Sequence, residues 1–172
     1  MKNIIALLTT ILGLSSQANA EDERDVYQLD YDQMIILDAE DLAEQGVMEA
    51  YEGIKPRLKE YVKESALIEE ILDNNIPFYK VSSQGQLFDI YGPDLENGQG
   101  QSWGRATYAL FSIVNNQIKE NDTKFYAINA GNDLGGMFLS SEEARLARES
   151  LPRKTDWPYI PTNENPWYGQ QK

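Results

Sequence analysis

The 172-residue chain has neither cysteine nor histidine. Without cysteine there is no disulfide framework and no thiol nucleophile. Without histidine it lacks the commonest general base near neutral pH and the commonest transition-metal ligand. The two absences together exclude Ser-His-Asp hydrolysis and most zinc or copper sites. Carboxylate chemistry, Ser-Lys or Tyr chemistry, oxygen-ligated Ca²⁺ or Mg²⁺, and plain binding survive. Positive charge is scarce as well, with 15 Lys and Arg against 28 Asp and Glu. Such a surface repels phosphate backbones and anionic lipid, so neither nucleic acid nor a membrane surface is an expected partner. No apolar run is long enough for a transmembrane helix.

What is present begins with a short apolar run, Ile4 to Leu14, behind Lys2. With the small residues Ala18 and Ala20 it reads as a secretory signal peptide, residues 1–20, cleaved after Ala20; an N-terminal anchor is the alternative. No Cys follows the run, which excludes a lipid-modified N-terminus. Residues 21–172 are then expected to form one globular domain in the periplasm, or beyond the envelope, with 21–25 loose.

That remainder carries 14 basic and 28 acidic residues, a net charge of −14. The imbalance is local: residues 21–73 hold 17 acids and 5 bases, residues 74–172 hold 11 and 9. No Lys or Arg stands between Arg24 and Lys55. Asp38, Glu40, Asp41, Glu44, Glu49 and Glu52 therefore cannot all be neutralised within their own helix. They are either a solvated face that aids solubility or a docking surface for a basic protein.

Along the chain, Val26 to Tyr31 suits an edge strand. Asp38 can cap a helix whose apolar face is Ala39, Ala43, Val47, Ala50 and Ile54, interrupted at Gly46. Pro56 ends that helix or begins the next. Leu58, Tyr61 and Val62 predict a second helix, and Leu67, Ile68, Ile71 and Leu72 a third. Phe78 to Ser82 and Gln86 to Tyr91 predict a hairpin about Ser83-Gln84-Gly85. Gly92 to Gly104 reads as a loop. Residues 105–119 read as a helix with Ala106, Ala109, Leu110, Ile113, Val114 and Gln117 in one stripe, although Thr107, Tyr108 and Phe111 also favour a buried strand. Ser140 and Glu143 form a capping box for a helix that Pro152 stops. The tail, rich in Pro, Trp and Tyr, is irregular.

The stretch Tyr126 to Phe138 places Asn129 to Gly136 between two apolar runs. Gly131, Gly135 and Gly136 do not match a phosphate-cradle spacing, and Asp133 would repel phosphate. Gly, Asn and Asp accept positive φ, so a turn between strands is expected, with Asn129, Asn132 and Asp133 free to touch a partner. Asp94 to Gly98 has alternating oxygen donors but misses the EF-hand pattern at Arg105. A carboxylate pair drawn from Asp89, Asp94, Asp133 and Asp156 would suit glycoside hydrolysis. Trp103, Trp157, Trp167, Tyr159 and Tyr168 can stack on sugars, anchor an interface or cover the core.

The expected fold is α+β: N-terminal helices, then a small antiparallel sheet of hairpins with two further helices on one face, and an irregular aromatic and proline-rich tail. The expected function is that of an exported, non-enzymatic, protein-binding protein, an inhibitor or immunity protein that occludes a toxin or lytic enzyme. Its partner surface would be Asp38, Glu40, Asp41, Glu44, Glu49, Glu52, Asn132, Asp133, Trp157 and Trp167, facing a basic protein, with no catalytic residue, metal or cofactor. The alternatives are a glycan or small-ligand module using Trp, Tyr and the Asn129–Gly136 loop, and a carboxylate-dependent hydrolase.

Overall fold

The computed structural model describes residues 27–172 apart from 74, 96 and 97. The expected signal peptide, its cleavage point and residues 21–26 lie outside the described residues. Tyr27 to Asp30 is irregular and leads into a 3₁₀ turn, Tyr31–Gln33, in place of the expected edge strand. Tyr31 is left exposed and Leu29 is buried against the strands that come later.

Met34 to Leu37 supplies a two-residue strand, Ile35–Ile36 (β1). Asp38 then caps a short helical segment, Ala39–Asp41 (α1), accepting from the N–H groups of Glu40 at 2.8 Å and Asp41 at 3.3 Å. The helix loosens into a wide turn, Leu42–Gly46, where Glu44 and Gln45 leave helical geometry and Gln45 has a φ of 75°. It resumes as Val47–Leu58 (α2). Gly46 marks the break because a Cβ there would lie 2.5 Å from the Asp41 carbonyl oxygen. Pro56 sits inside α2 and the helix runs on to Leu58.

The second and third helices expected from Leu58 to Leu72 are absent. Leu58 ends α2, and Tyr61 and Val62 pack on the core through the turn that follows, with Tyr61 stacked on Phe138 at 5.0 Å between ring centres. Residues from Ile68 form a strand, Ile68–Asp73 (β2), paired antiparallel with Phe78–Ser83 (β3). The run Leu67 to Leu72 fits both a helical and a period-two pattern, and strand pairing to β3 decides it. Gln86–Tyr91 (β4) completes a β2-β3-β4 sheet through a two-residue turn, in which Gln84 and Gly85 both take positive φ.

Ser102–Gln117 (α3) is the long central helix, and the alternative of a buried strand is set aside. It starts at Ser102, three residues before the expected start at Arg105 and within the stretch expected to be loop. Its stripe is buried from Ala106 to Val114. Gln117 closes the stripe by accepting from the Tyr51 hydroxyl and the Ala66 N–H, which ties α3 to α2 and to the approach of β2. Asn115 clamps the next strand by exchanging two hydrogen bonds with the backbone of Phe125.

Lys124–Ile128 (β5) and Gly135–Leu139 (β6) form the second hairpin, and β1 joins it in a sheet of order β1-β6-β5. Ser141–Ser150 (α4) follows behind the Ser140–Glu143 capping box. Phe125 and Ala127 belong to the cluster that holds α3, whereas Tyr126 and Ile128 pack with Ala144 and Ala147 of α4. Alternation along β5 therefore puts α3 and α4 on opposite faces of this sheet, not on one. The fold is α+β with two three-stranded antiparallel sheets where one was expected.

Candidate functional site

Asn129 to Leu134 is the turn between β5 and β6, with Asn129 and Gly131 at φ of 57° and 64°, whereas Gly135 and Gly136 already belong to β6. Gly131 serves the turn, and Gly135 and Gly136 serve packing. A Cβ on Gly136 would fall 2.1 Å from the Phe125 ring, so the ring can lie across the neighbouring strand only because that position is bare. The turn carries a 3₁₀ segment, Gly131–Asp133, up against the start of α1. There Asn132 Nδ2 donates to Glu40 Oε2 at 3.1 Å. Two features far apart in the chain, the acidic helix and the Asn-Asp loop, thus meet.

Between them and β1 lies a groove of about 670 Å³. Its walls carry the carboxylates of Asp38, Asp41, Glu44 and Glu49, with Asn132 at one side. Its apolar lining comes from Ile35, Ile36, Leu42, Ala50 and Gly53. Among the described residues no Lys or Arg lines it. A second hollow of about 530 Å³ adjoins it across Glu44 and Gln45, which line both, and is bounded by Tyr91, Ser102 and Trp103. Gln45 Nε2 reaches the Tyr91 hydroxyl at 3.4 Å.

The helix break makes this geometry, and the break is held from a distance. Gly46 has no side chain to cap α2. Instead Glu70 of β2 accepts from the Met48 N–H at 3.0 Å, and the Tyr79 hydroxyl of β3 accepts from the Val47 N–H at 3.3 Å. The Tyr79 hydroxyl in turn donates to Glu70. Burial, and then the hydrogen bond and charge of Glu70, push the Tyr79 hydroxyl well above the usual phenol range. The carboxylate of β2 thereby caps a helix N-terminus, where the dipole favours negative charge.

Among the described residues the ion pairs are Lys55–Glu52, Arg57–Glu60, Lys80–Asp89, Arg145 with Glu142 and Glu149, and Arg153–Asp156. None involves Asp38, Glu40, Asp41, Glu44 or Glu49. Asp38 is engaged in its cap, and the three remaining groove carboxylates, Asp41, Glu44 and Glu49, focus a negative potential on one concave surface.

The other candidates lie elsewhere. Glu52 turns to Lys55 and lines a mixed-charge hollow with Lys59 and Lys63. Asp133 is exposed on its turn, outside the groove lining. Trp157 is half-buried, its Nε1 donating to the Leu151 carbonyl at 3.0 Å, two residues before Tyr159, which bridges to Ala127 on the far edge of β5. Trp167 is 55 % exposed, with Lys172 Nζ 4.4 Å from its ring centre, beside a Tyr168 whose ring rests against Gly104. Asp89 and Asp156 are held by Lys80 and Arg153, and neither lines the groove or the adjoining hollow. Among the described residues no group of three or more acids is placed to hold a metal ion, and no helix is long and apolar enough to cross a membrane.

Sequence reasoning missed Ile36, Gly53 and Gln45 as groove residues and gave Trp103 no place in the partner surface. A glycine inside a helical pattern was the one readable signal, since it weakens the helix and calls for a reason. No known protein family matches the chain, and no curated protein and no solved structure matches it either.

Proposed function

We propose that the chain is an exported, non-enzymatic, protein-binding protein, most concretely a periplasmic inhibitor or immunity protein. It would occlude a toxin or envelope-lytic enzyme by seating a basic part of that partner in the acidic groove. The observation that carries this reading is the groove itself: Asp38, Asp41, Glu44 and Glu49 line it without a cation. The mechanism is steric plugging with electrostatic steering, in which the field raises the association rate and short-range contacts set the lifetime. Trp103, 40 % exposed beside the groove, supplies the kind of aromatic anchor that interfaces favour.

The test is affinity capture. Residues 21–172 are immobilised, envelope and secreted extracts are passed over them at low salt, and retained proteins are eluted with rising salt. One stoichiometric basic enzyme whose activity falls on binding is the expected result. Retention of no specific protein contradicts the reading. A second reading, an envelope-glycan module, draws on the exposed ring of Trp167. It expects Trp167→Ala to weaken binding to envelope polysaccharide with little dependence on salt, and an unchanged affinity would count against it.

A further inference from the structure

Among the described residues strand β1 is the edge of its sheet, and the groove runs along it. The register fixes what that edge offers. Ile35 stands opposite Gly136 and Ile36 opposite Gly135, while the Leu37 N–H donates to the Leu134 carbonyl at 2.8 Å. On the other side of the sheet, Ala127 and Tyr159 exchange both main-chain bonds, so the backbone of Ala127 points away from β6. In an antiparallel ladder hydrogen-bonded and non-hydrogen-bonded pairs alternate. Both observations give the same phase: Ile35 bonds to β6 and Leu37 to Leu134 just before it, and the N–H and C=O of Ile36 point outward from the edge. The Ile36 side chain is 84 % exposed.

Gly53 supplies an independent observation. It stands in the interior of α2, where a glycine weakens a helix by about 1 kcal/mol relative to alanine. Among the described residues no atom lies within 4 Å of where its Cβ would be, so none of them requires the bare position. It lines the groove across from β1. A missing side chain there leaves room for something outside the chain to come close to α2.

From the free edge, the open glycine and the uncompensated carboxylates we infer that the groove receives an extended, cationic segment of the partner protein as an added strand against β1. The main chain of that segment pairs with Ile36. Its Lys or Arg side chains meet Asp38, Asp41 and Glu49, and its body passes over Gly53. Main-chain hydrogen bonds then supply affinity and alternate side chains supply specificity. The inference rests on the reading of the groove as the partner's seat and narrows it to one recognition mode.

The probe is an acetylated and amidated heptapeptide of alternating Lys and Val, with a second version N-methylated at its central residue. Binding to residues 21–172 is followed by calorimetry at low salt, and exchange of the Ile36 amide by NMR. The expected result is binding that slows exchange at Ile36. The N-methyl peptide, and the variants Ile36→Pro and Gly53→Leu, should each bind up to about ten-fold more weakly, the scale of one lost main-chain bond or its steric equivalent. Ile36→Pro removes only an N–H that β6 does not use, and edge strands tolerate proline, so the fold should persist; unchanged thermal melting checks this. Peptide binding that these changes leave untouched, with no protection of Ile36, overturns strand addition while the acidic-groove reading stands. Failure of the peptide to bind the unmodified protein also overturns strand addition, and the capture experiment then judges the broader reading separately.

Discussion

Helices α1–α2 and α4 are both acidic, yet they treat their charge in opposite ways. In α4, Arg145 pairs with Glu142 and Glu149, and Glu143 is used in the capping box with Ser140. The helix satisfies itself locally and faces solvent. In α1–α2 the chain interrupts the helix, caps the resumed part with Glu70 and Tyr79 from another sheet, and leaves Asp41, Glu44 and Glu49 without cations. Surface acids with partners a turn away contribute little beyond solubility and a few tenths of a kcal/mol. Acids gathered around a hollow without cations cost self-repulsion, and the proposed function assigns that cost to an outside partner.

The comparison can be broken first at the caps. Glu70→Ala leaves the Met48 N–H and the Tyr79 hydroxyl without their acceptor, and should lower stability by about 2–4 kcal/mol in denaturant unfolding. A loss below about 0.5 kcal/mol would mean that the break is not held from sheet to helix as described.

Alkaline titration sharpens it next. Burial pushes the Tyr159 hydroxyl up to about 12, and the Tyr79 hydroxyl is raised further. In the unfolded chain a phenol titrates near 10. A raised folded value means stability that is fully present below about pH 10 and lost as pH climbs through the folded value, by about 1.4 kcal/mol per pH unit for each such group. Tyr159→Phe and Tyr79→Phe should each flatten that fall between pH 10 and 12 in urea titrations. A slope that neither change alters contradicts the burial assigned to these hydroxyls.

Smaller effects separate the local cap from the remote one. Ser140→Ala should cost about 1 kcal/mol, less than Glu70→Ala, because only one local cap is lost. Gly53→Ala should raise stability by up to about 1 kcal/mol, since the helix gains and nothing clashes. Thermal melting reads both, and a destabilised Gly53→Ala would show that the position is constrained from within the fold.

How far the sequence disclosed this depended on the range of each interaction. The Asp38 cap, the capping box, the Gln84-Gly85 hairpin and the α3 stripe are written in neighbouring residues and were legible. Residues 68–73 were not, because a short run with Ile, Leu and Glu fits helix and strand alike until β3 pairs with it. Strand β1 is too short to carry a period, and its neighbour β6 lies a hundred residues away in the register of Ile35 with Gly136. For the site, composition alone located the acids Asp38 to Glu49. Their union with Asn132, and the separation of Glu52, Trp157 and Trp167 from them, depended on tertiary placement that no local pattern encodes.

In the proposed function the uncompensated acids at the helix break, and not acidity in general, seat the partner. The most direct test compares two triple reversals of equal charge in the capture assay: Asp41, Glu44 and Glu49 to Lys, against Glu142, Glu149 and Glu120 to Lys. The groove variant should bind the retained basic protein about a hundred-fold more weakly, chiefly through slower association at low salt, and the control should stay within about three-fold. Equal losses in the two variants would show that the whole acidic surface acts as one field, and would contradict the account.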